Sequence, residues 1–391
     1  MSSNARASAA TNGEEPPCNK KKKPSQATEP TLTSISSLPY DLLLICLARV
    51  SRLYYPILSL VSKNFQSVIA SSDLYETRSR LNHTERCLYL CLNSSGKCLV
   101  EIPSPNYLLP ADKSRLVAAG SNIYKIGGSH DAFELFKHEK PYSSSVSVLD
   151  CRSHTWHQAP SMSMKRNSSS TTSLVDEKIY VAGGCKDKYI SYPNWIEVFD
   201  LKTQTWGNVT NPRIFKLRHG VIRKMGHVAE SFELEGKLYM FGDENVVYNP
   251  KEDRWNVLGV DKDLSWAVRG YSYCVIDDVL LYWDTQVFNW YDCKVSSWKE
   301  LNGLEEILPD FRGLAYFKMV DLGGKMALLW DNREYGGNDF IQIKIWCAEI
   351  ALERRDGDEI WGKVEWIDLI LTFTVPGECE DTSFDAISAS V

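Results

Sequence analysis

The side chains best suited to chemistry in this sequence are few, and they do not assemble into a catalytic motif. His154 and His157 stand three apart and could bring two imidazoles together. A zinc site needs three or four ligands, so surface histidines are the stronger reading and no metal is expected. The sequence holds no G-x-x-x-x-G-K-[ST] phosphate loop and no H-E-x-x-H. Eleven cysteines are scattered without a C-x-x-C pair. Cys91, Cys151, Cys274, Cys293 and Cys347 fall in strand-like runs, where a reduced thiol packs as a small apolar side chain. This usage points to a reducing compartment, cytosol or nucleus. The densest basic stretch is Arg213, Lys216, Arg218, Arg223 and Lys224, with Phe215 and His219 among them, although the chain carries a net charge of −6. Such a stretch is either a solvated charge run or a grip for an acidic or phosphorylated segment. Neither cofactor nor nucleic acid is implied.

The elements that must position these residues are written most clearly between Leu174 and Trp206. Asp176-Glu177-Lys178 signals a tight turn between two short apolar runs. Ile179 to Ala182 reads as a buried strand, and Gly183-Gly184 ends it where the backbone must turn without a Cβ clash. Trp195 to Asp200 reads as a third strand, and a turn leads to a fourth opening with Trp206. The pattern recurs from Ile123 to Trp156, Leu238 to Trp255 and Val279 to Trp298, so Trp156, Trp206, Trp255 and Trp298 follow at intervals of 50, 49 and 43 residues. A fifth unit runs from Leu314 through Trp330 to Trp361. Only the first two units keep both glycines; Trp283-Asp284 and Trp330-Asp331 stand where the fourth and fifth pairs would be. These units, near 115–160, 170–210, 226–260, 268–303 and 312–368, resemble kelch repeats, whose period is about 50 residues. The resemblance implies a mainly β fold, a β-propeller over 84–391. Thr84 to Val100 reads as two further strands, and Leu369 to Val375 and Phe384 to Val391 as the last ones. A toroid must close without a free edge, so the N- and C-terminal strands are expected to share a sixth blade. A kelch-like copper oxidase is set aside because its tyrosine and histidine ligands have no counterparts here.

The N-terminal part differs in kind. Residues 1–33 are poor in large apolar side chains and are expected to be disordered. They carry Lys20 to Lys23, which is either a nuclear import signal or a solvated cluster, so the expected location is cytoplasmic, nuclear or both. From 34 to 80 the sequence reads as helical. Leu38-Pro39-Tyr40-Asp41 opens a helix that Leu42, Leu43, Leu44, Ile45 and Leu47 make apolar all round. Ile57, Leu60, Val61, Phe65, Val68 and Ile69 continue at helical spacing. So small an element cannot bury that surface by itself. No run is long enough to span a membrane.

With Leu38-Pro39, Asp41 to Leu44, Leu47 to Val50, Leu60 to Lys63, Phe65 and Ser71 to Tyr75, this segment resembles an F-box, and Ser51 to Pro56 resembles the plant F-box/kelch-repeat family in particular. The resemblance implies a non-catalytic receptor. The F-box would dock a Skp-family adaptor, and through it a cullin, by Leu38, Pro39, Leu42, Leu43, Leu47, Val61, Lys63 and Phe65. The propeller would hold an unknown protein substrate for ubiquitination. For that substrate the sequence offers a basic ring of Arg166, Arg213, Phe215, Lys216, Arg218, His219, Arg269 and Arg312, although Arg166, Arg269 and Arg312 lie at matching points of the repeat and could serve the fold instead. Two alternatives stand beside this reading: a kelch scaffold capped by its helices, and a propeller that binds a small molecule.

Overall fold

The computed structural model of the protein describes residues 38–391 except 94–97, 103–114, 128–141, 168–169, 186–194, 210–227, 243–244, 259–263, 265–271, 285, 305–307, 310, 312–315, 337–339, 356–358 and 378–381. The tail 1–33 with Lys20 to Lys23 therefore lies outside the described residues. Met1–Leu43 and Leu44–Val391 form two compact units.

The helical segment comprises α1 (Tyr40–Ala48), a 3-10 turn (Arg52–Tyr54), α2 (Tyr55–Ser59), α3 (Lys63–Ile69) and α4 (Ser72–Arg80). The apolar pattern from Ile57 to Ile69 is thus two helices. Ser62 interrupts it with extended backbone, and its hydroxyl caps α3 by accepting the Phe65 N–H at 3.2 Å. Pro56 sits in the first turn of α2, where its missing N–H leaves no hydrogen bond unmade.

All strands pair antiparallel. Next after the helices come β1 (Arg86–Asn93) and β2 (Cys98–Ile102). Blade one is β3 (Arg115–Ala119), β4 (Asn122–Ile126), β5 (Val146–Asp150) and β6 (Thr155–Ala159); blade two is β7 (Thr171–Val175), β8 (Lys178–Ala182), β9 (Ile196–Asp200) and β10 (Thr205–Asn208). Blade three is β11 (Val228–Leu234), β12 (Lys237–Gly242), β13 (Val246–Asn249) and β14 (Arg254–Val257); blade four is β15 (Tyr273–Ile276), β16 (Val279–Trp283), β17 (Phe288–Asp292) and β18 (Ser297–Glu300). Blade five is β19 (Phe317–Asp321), β20 (Lys325–Tyr335), β21 (Phe340–Arg355) and β22 (Glu359–Pro376), and β23 (Ser383–Ser390) ends the chain of strands.

The first strand of each blade touches the first strand of the next, from β3 through β7, β11 and β15 to β19; β19 then touches β23, and β23 touches β3. The fold is a β-propeller whose ring is closed by β23. That strand pairs with β1 from Arg86↔Ser390 to Asn93↔Ser383, and β1 in turn pairs with β2. Of the six blades expected, with one shared by the N- and C-terminal strands, five are four-stranded blades; the composite sheet β2-β1-β23 does join the two ends of the chain but holds only three strands among the described residues, short of a sixth blade. The expected closing role of Leu369 to Val375 is also corrected. That stretch is the far half of β22, in register with Ile341 to Trp346 of β21.

Local chemistry explains the turns of the regular blades. Asp176 and Glu177 take φ of 45° and 59° in the turn between β7 and β8, while Gly183 and Gly184 take 71° and 69° where β8 ends. Tryptophans of the fourth strands join cores shared by two blades. Trp206 lies 5.0 Å from the Phe199 ring and joins the core shared by blades one and two. Trp255 contacts Trp195 at 6.3 Å in the core shared by blades two and three. In blade five β20 runs straight on through Trp330-Asp331 to Tyr335, and β21 and β22 lengthen with it, whereas β16 of blade four ends at Trp283 although the same Trp-Asp pair stands there. The extension packs Ile341, Ile343 and Val375 against Leu92 and Phe384 of the composite sheet, and Arg333 donates to the Thr382 carbonyl at 2.5 Å.

Candidate interaction surfaces

The residues expected to dock an adaptor divide by exposure. Leu43, in the first unit, and Leu47, in the second, are each buried, whereas Leu42 is half exposed. Phe65 is buried in α3. These three support the helices rather than present a surface. Leu38, Pro39 and Leu42 are exposed in the first unit, and Val61 and Lys63 in the second. The structure also exposes apolar residues outside the expected docking set: Tyr40 in the first unit, and Leu53, Tyr54, Ile57 and Leu60 in the second, the last at 85 %. The signal for them was present in the apolar spacing of 53–61, but which side faced inward was not.

Beneath the exposed residues of 53–61 lies a buried polar joint. Arg78, 1 % exposed, donates from Nη1 to the carbonyls of Ala48 (3.2 Å) and Val50 (2.7 Å) and to the Tyr55 hydroxyl (2.9 Å). Its Nη2 meets Glu85 Oε1 at 2.9 Å. Burial pushes the Tyr55 hydroxyl upward in pKa against the pull of Arg78, so the phenol stays neutral and passes its proton side to the Leu47 carbonyl at 3.0 Å. Glu85 also accepts the Arg52 N–H at 3.1 Å, and its backbone exchanges two 2.8 Å hydrogen bonds with Val391. The Arg52 guanidinium reaches Cys87 Sγ at 2.7 Å and the Cys151 carbonyl at 3.3 Å. Tyr75 of α4 completes the joint by packing with Tyr89, Ile123 and Leu149. Helices α2 to α4 are therefore fastened to the composite sheet and blade one by charge and by a shared apolar core.

On the propeller, Arg166 is not a surface residue. It is wholly buried, with Nη2 2.9 Å from Glu197 Oε2 and Nη1 2.6 Å from the Gly183 carbonyl and 3.2 Å from that of Trp195. Glu197, also buried, accepts the Ser163 N–H at 2.8 Å. A guanidinium so occupied holds blade one to blade two and has no donor facing solvent, which removes it from the expected ring. Arg213, Phe215, Lys216, Arg218, His219, Arg269 and Arg312 lie outside the described residues. His154 sits in a turn with φ of 54°, its Nε2 3.4 Å from the Tyr89 hydroxyl, while His157 is exposed on β6.

Comparison with known proteins agrees with this division. An F-box domain family matches residues 35–77, and the family described as FKB95, Kelch-repeats domain, matches residues 75–371. An F-box/kelch-repeat protein of Arabidopsis thaliana is 52% identical over 100% of this chain and 99% of its own length. This chain belongs to the F-box/kelch-repeat family. Two further members from the same plant support it. One, a putative F-box/kelch-repeat protein, is 54% identical over 92% of this chain and 96% of its own; another is 44% identical over 90% and 93%. Within this F-box/kelch-repeat protein the two family matches meet at Tyr75 to Thr77 in α4, where the helices are joined to the sheet.

Proposed function

We propose that this F-box/kelch-repeat protein is the substrate-receptor subunit of a Skp-cullin-F-box ubiquitin ligase and does no bond chemistry itself. F-box domains generally bind Skp-family adaptors. The observation that carries the reading is the apolar surface the helices leave uncovered: Leu53, Tyr54, Ile57, Leu60 and Val61 are each 59–85 % exposed within nine residues. Burying one such side chain contributes about 1.5–3 kcal/mol, and large apolar side chains exposed in numbers within one short segment mark an interaction surface. The receptor's contribution to transfer is proximity, holding lysines of a bound protein near a charged ubiquitin-carrying enzyme.

The test is co-purification of the full chain with a Skp-family adaptor. Leu38→Ala with Pro39→Ala, and separately Leu60→Asp, should each weaken capture about thirtyfold or more, as loss of about 2 kcal/mol at an interface centre does. The circular dichroism melt should stay unchanged, because these side chains are exposed. Undiminished capture by both variants would overturn the adaptor reading.

A further inference from the structure

The helices rest on a seat that only the closed ring assembles. Tyr75 of α4, 7 % exposed, packs in one apolar core with Tyr89 of β1, Ile123 of β4, Leu149 of β5, Ala389 of β23 and Val391 just beyond it. The Arg52 guanidinium lies 5.8 Å from the Tyr75 ring centre. It spans the same segments, from Cys87 of β1 to the carbonyl of Cys151 just after β5. Glu85, which fastens both Arg52 and Arg78, is itself tied by its backbone to Val391. One residue earlier, the Ser390 N–H donates to the Gly120 carbonyl, in the turn between β3 and β4, at 2.9 Å.

These contacts cross the seam of the ring. In blades one to five, paired strands follow one another along the chain, so connecting loops hold each blade together as well as pairing. β1 and β23 pair from Arg86↔Ser390 to Asn93↔Ser383 with all five blades between them in sequence, and no turn joins them. Tyr75 touches both sides of that seam, β1 and blade one on one side and the end of β23 on the other. A contact made only in the closed ring stabilises closure by its own free energy, and closure stabilises the seating of the helices by the same amount. Leu53 and Tyr54, both exposed, share the 3-10 turn that Arg52 opens. A partner that fixes this turn therefore favours the seated helices over unseated ones.

We propose that the F-box helices are the clasp of the propeller: they lock β23 to β1 and blade one, and a partner docked on them tightens the ring from outside. The second half rests on the adaptor reading above, and the first half does not. The device couples the receptor's two tasks, because an adaptor-bound chain holds its propeller closed more firmly than an unbound one.

Hydrogen exchange of the full-length chain, followed by mass spectrometry of its peptides, tests the clasp. Tyr75→Ala removes a buried aromatic from the seam, so exchange at 383–390 and 86–93 should quicken about thirtyfold or more. Exchange in β12, blades away, should stay within about threefold of the parent chain. Leu238→Ala, buried between blades two and three, should do the reverse, quickening β12 and sparing 383–390. Where Tyr75→Ala does not fold, Tyr75→Leu should still quicken 383–390 severalfold. Saturation with a Skp-family adaptor should slow 383–390 severalfold and leave β12 unmoved. Unchanged exchange at 383–390 in the Tyr75 variants, or equal quickening through all blades, would overturn the clasp. A captured adaptor that leaves 383–390 unprotected would overturn the coupling. Failure to capture any adaptor would instead count against the adaptor reading, with the Tyr75 variants still deciding the clasp.

Discussion

Replacing Arg78 by methionine tests whether the helices and the propeller are held by charge as well as by packing. The methionine keeps most of the buried stem volume and removes the guanidinium alone. Four acceptors then lose a donor: the Ala48 and Val50 carbonyls, the Tyr55 hydroxyl and the Glu85 carboxylate. Breaking a buried pair by removing one partner costs about 3–5 kcal/mol. Glu85 keeps 34 % of its side chain exposed, so water reclaims part of that loss, and about 3 kcal/mol is the expected destabilisation. Within a typical total of about 5–15 kcal/mol this is large. Urea melts give its size, and native-state hydrogen exchange gives its place. Protection should fall in α4 and β1 and hold in β12 and β16, which lie blades away. Arg78→Lys should recover no more than about half, because one ammonium cannot reach acceptors that a planar fork spans. A change under about 0.5 kcal/mol, or a uniform loss of protection through all blades, would refute the joint.

Two other expectations concern the ring. Gly184→Ala should cost about 1–3 kcal/mol, since the new Cβ would lie 2.7 Å from the Ser170 nitrogen at a φ of +69°; Gly120→Ala, also at positive φ but with nothing within 4 Å, should cost less in the same thermal melt. If the two cost alike, the close approach of the backbone entering β7 is not what requires glycine at 184. Truncation after Val375 removes β23 and strips β1 of its pairing from Arg86 to Asn93. The opened ring should aggregate through its free edges, read by light scattering after size exclusion, and a monomeric chain with a cooperative melt would show closure to be dispensable.

Sequence alone determined the repeat, because the tryptophans opening the fourth strands and the turns between strands are local devices: an indole needs a neighbour at a fixed offset, and a tight turn needs residues that tolerate positive φ. It determined the F-box for the same reason, since helix initiation at Pro39 and the apolar run after it are read within a few residues. What lay beyond it was every choice made across the chain. Whether Arg166 faces water or Glu197, thirty-one residues on, is decided by the meeting of two blades, and an arginine looks the same in sequence either way. The two-helix split at Ser62 depended on a hydroxyl finding the Phe65 N–H. Which apolar side chains of 53–61 stay exposed followed from where α2 to α4 sit on the sheet. The ion pairs Arg115–Glu230 and Lys318–Asp385 join strands far apart in sequence, β3 to β11 and β19 to β23. Local geometry repeats and can be read from spacing, whereas charge pairing across strands depends on which walls the closed toroid brings face to face.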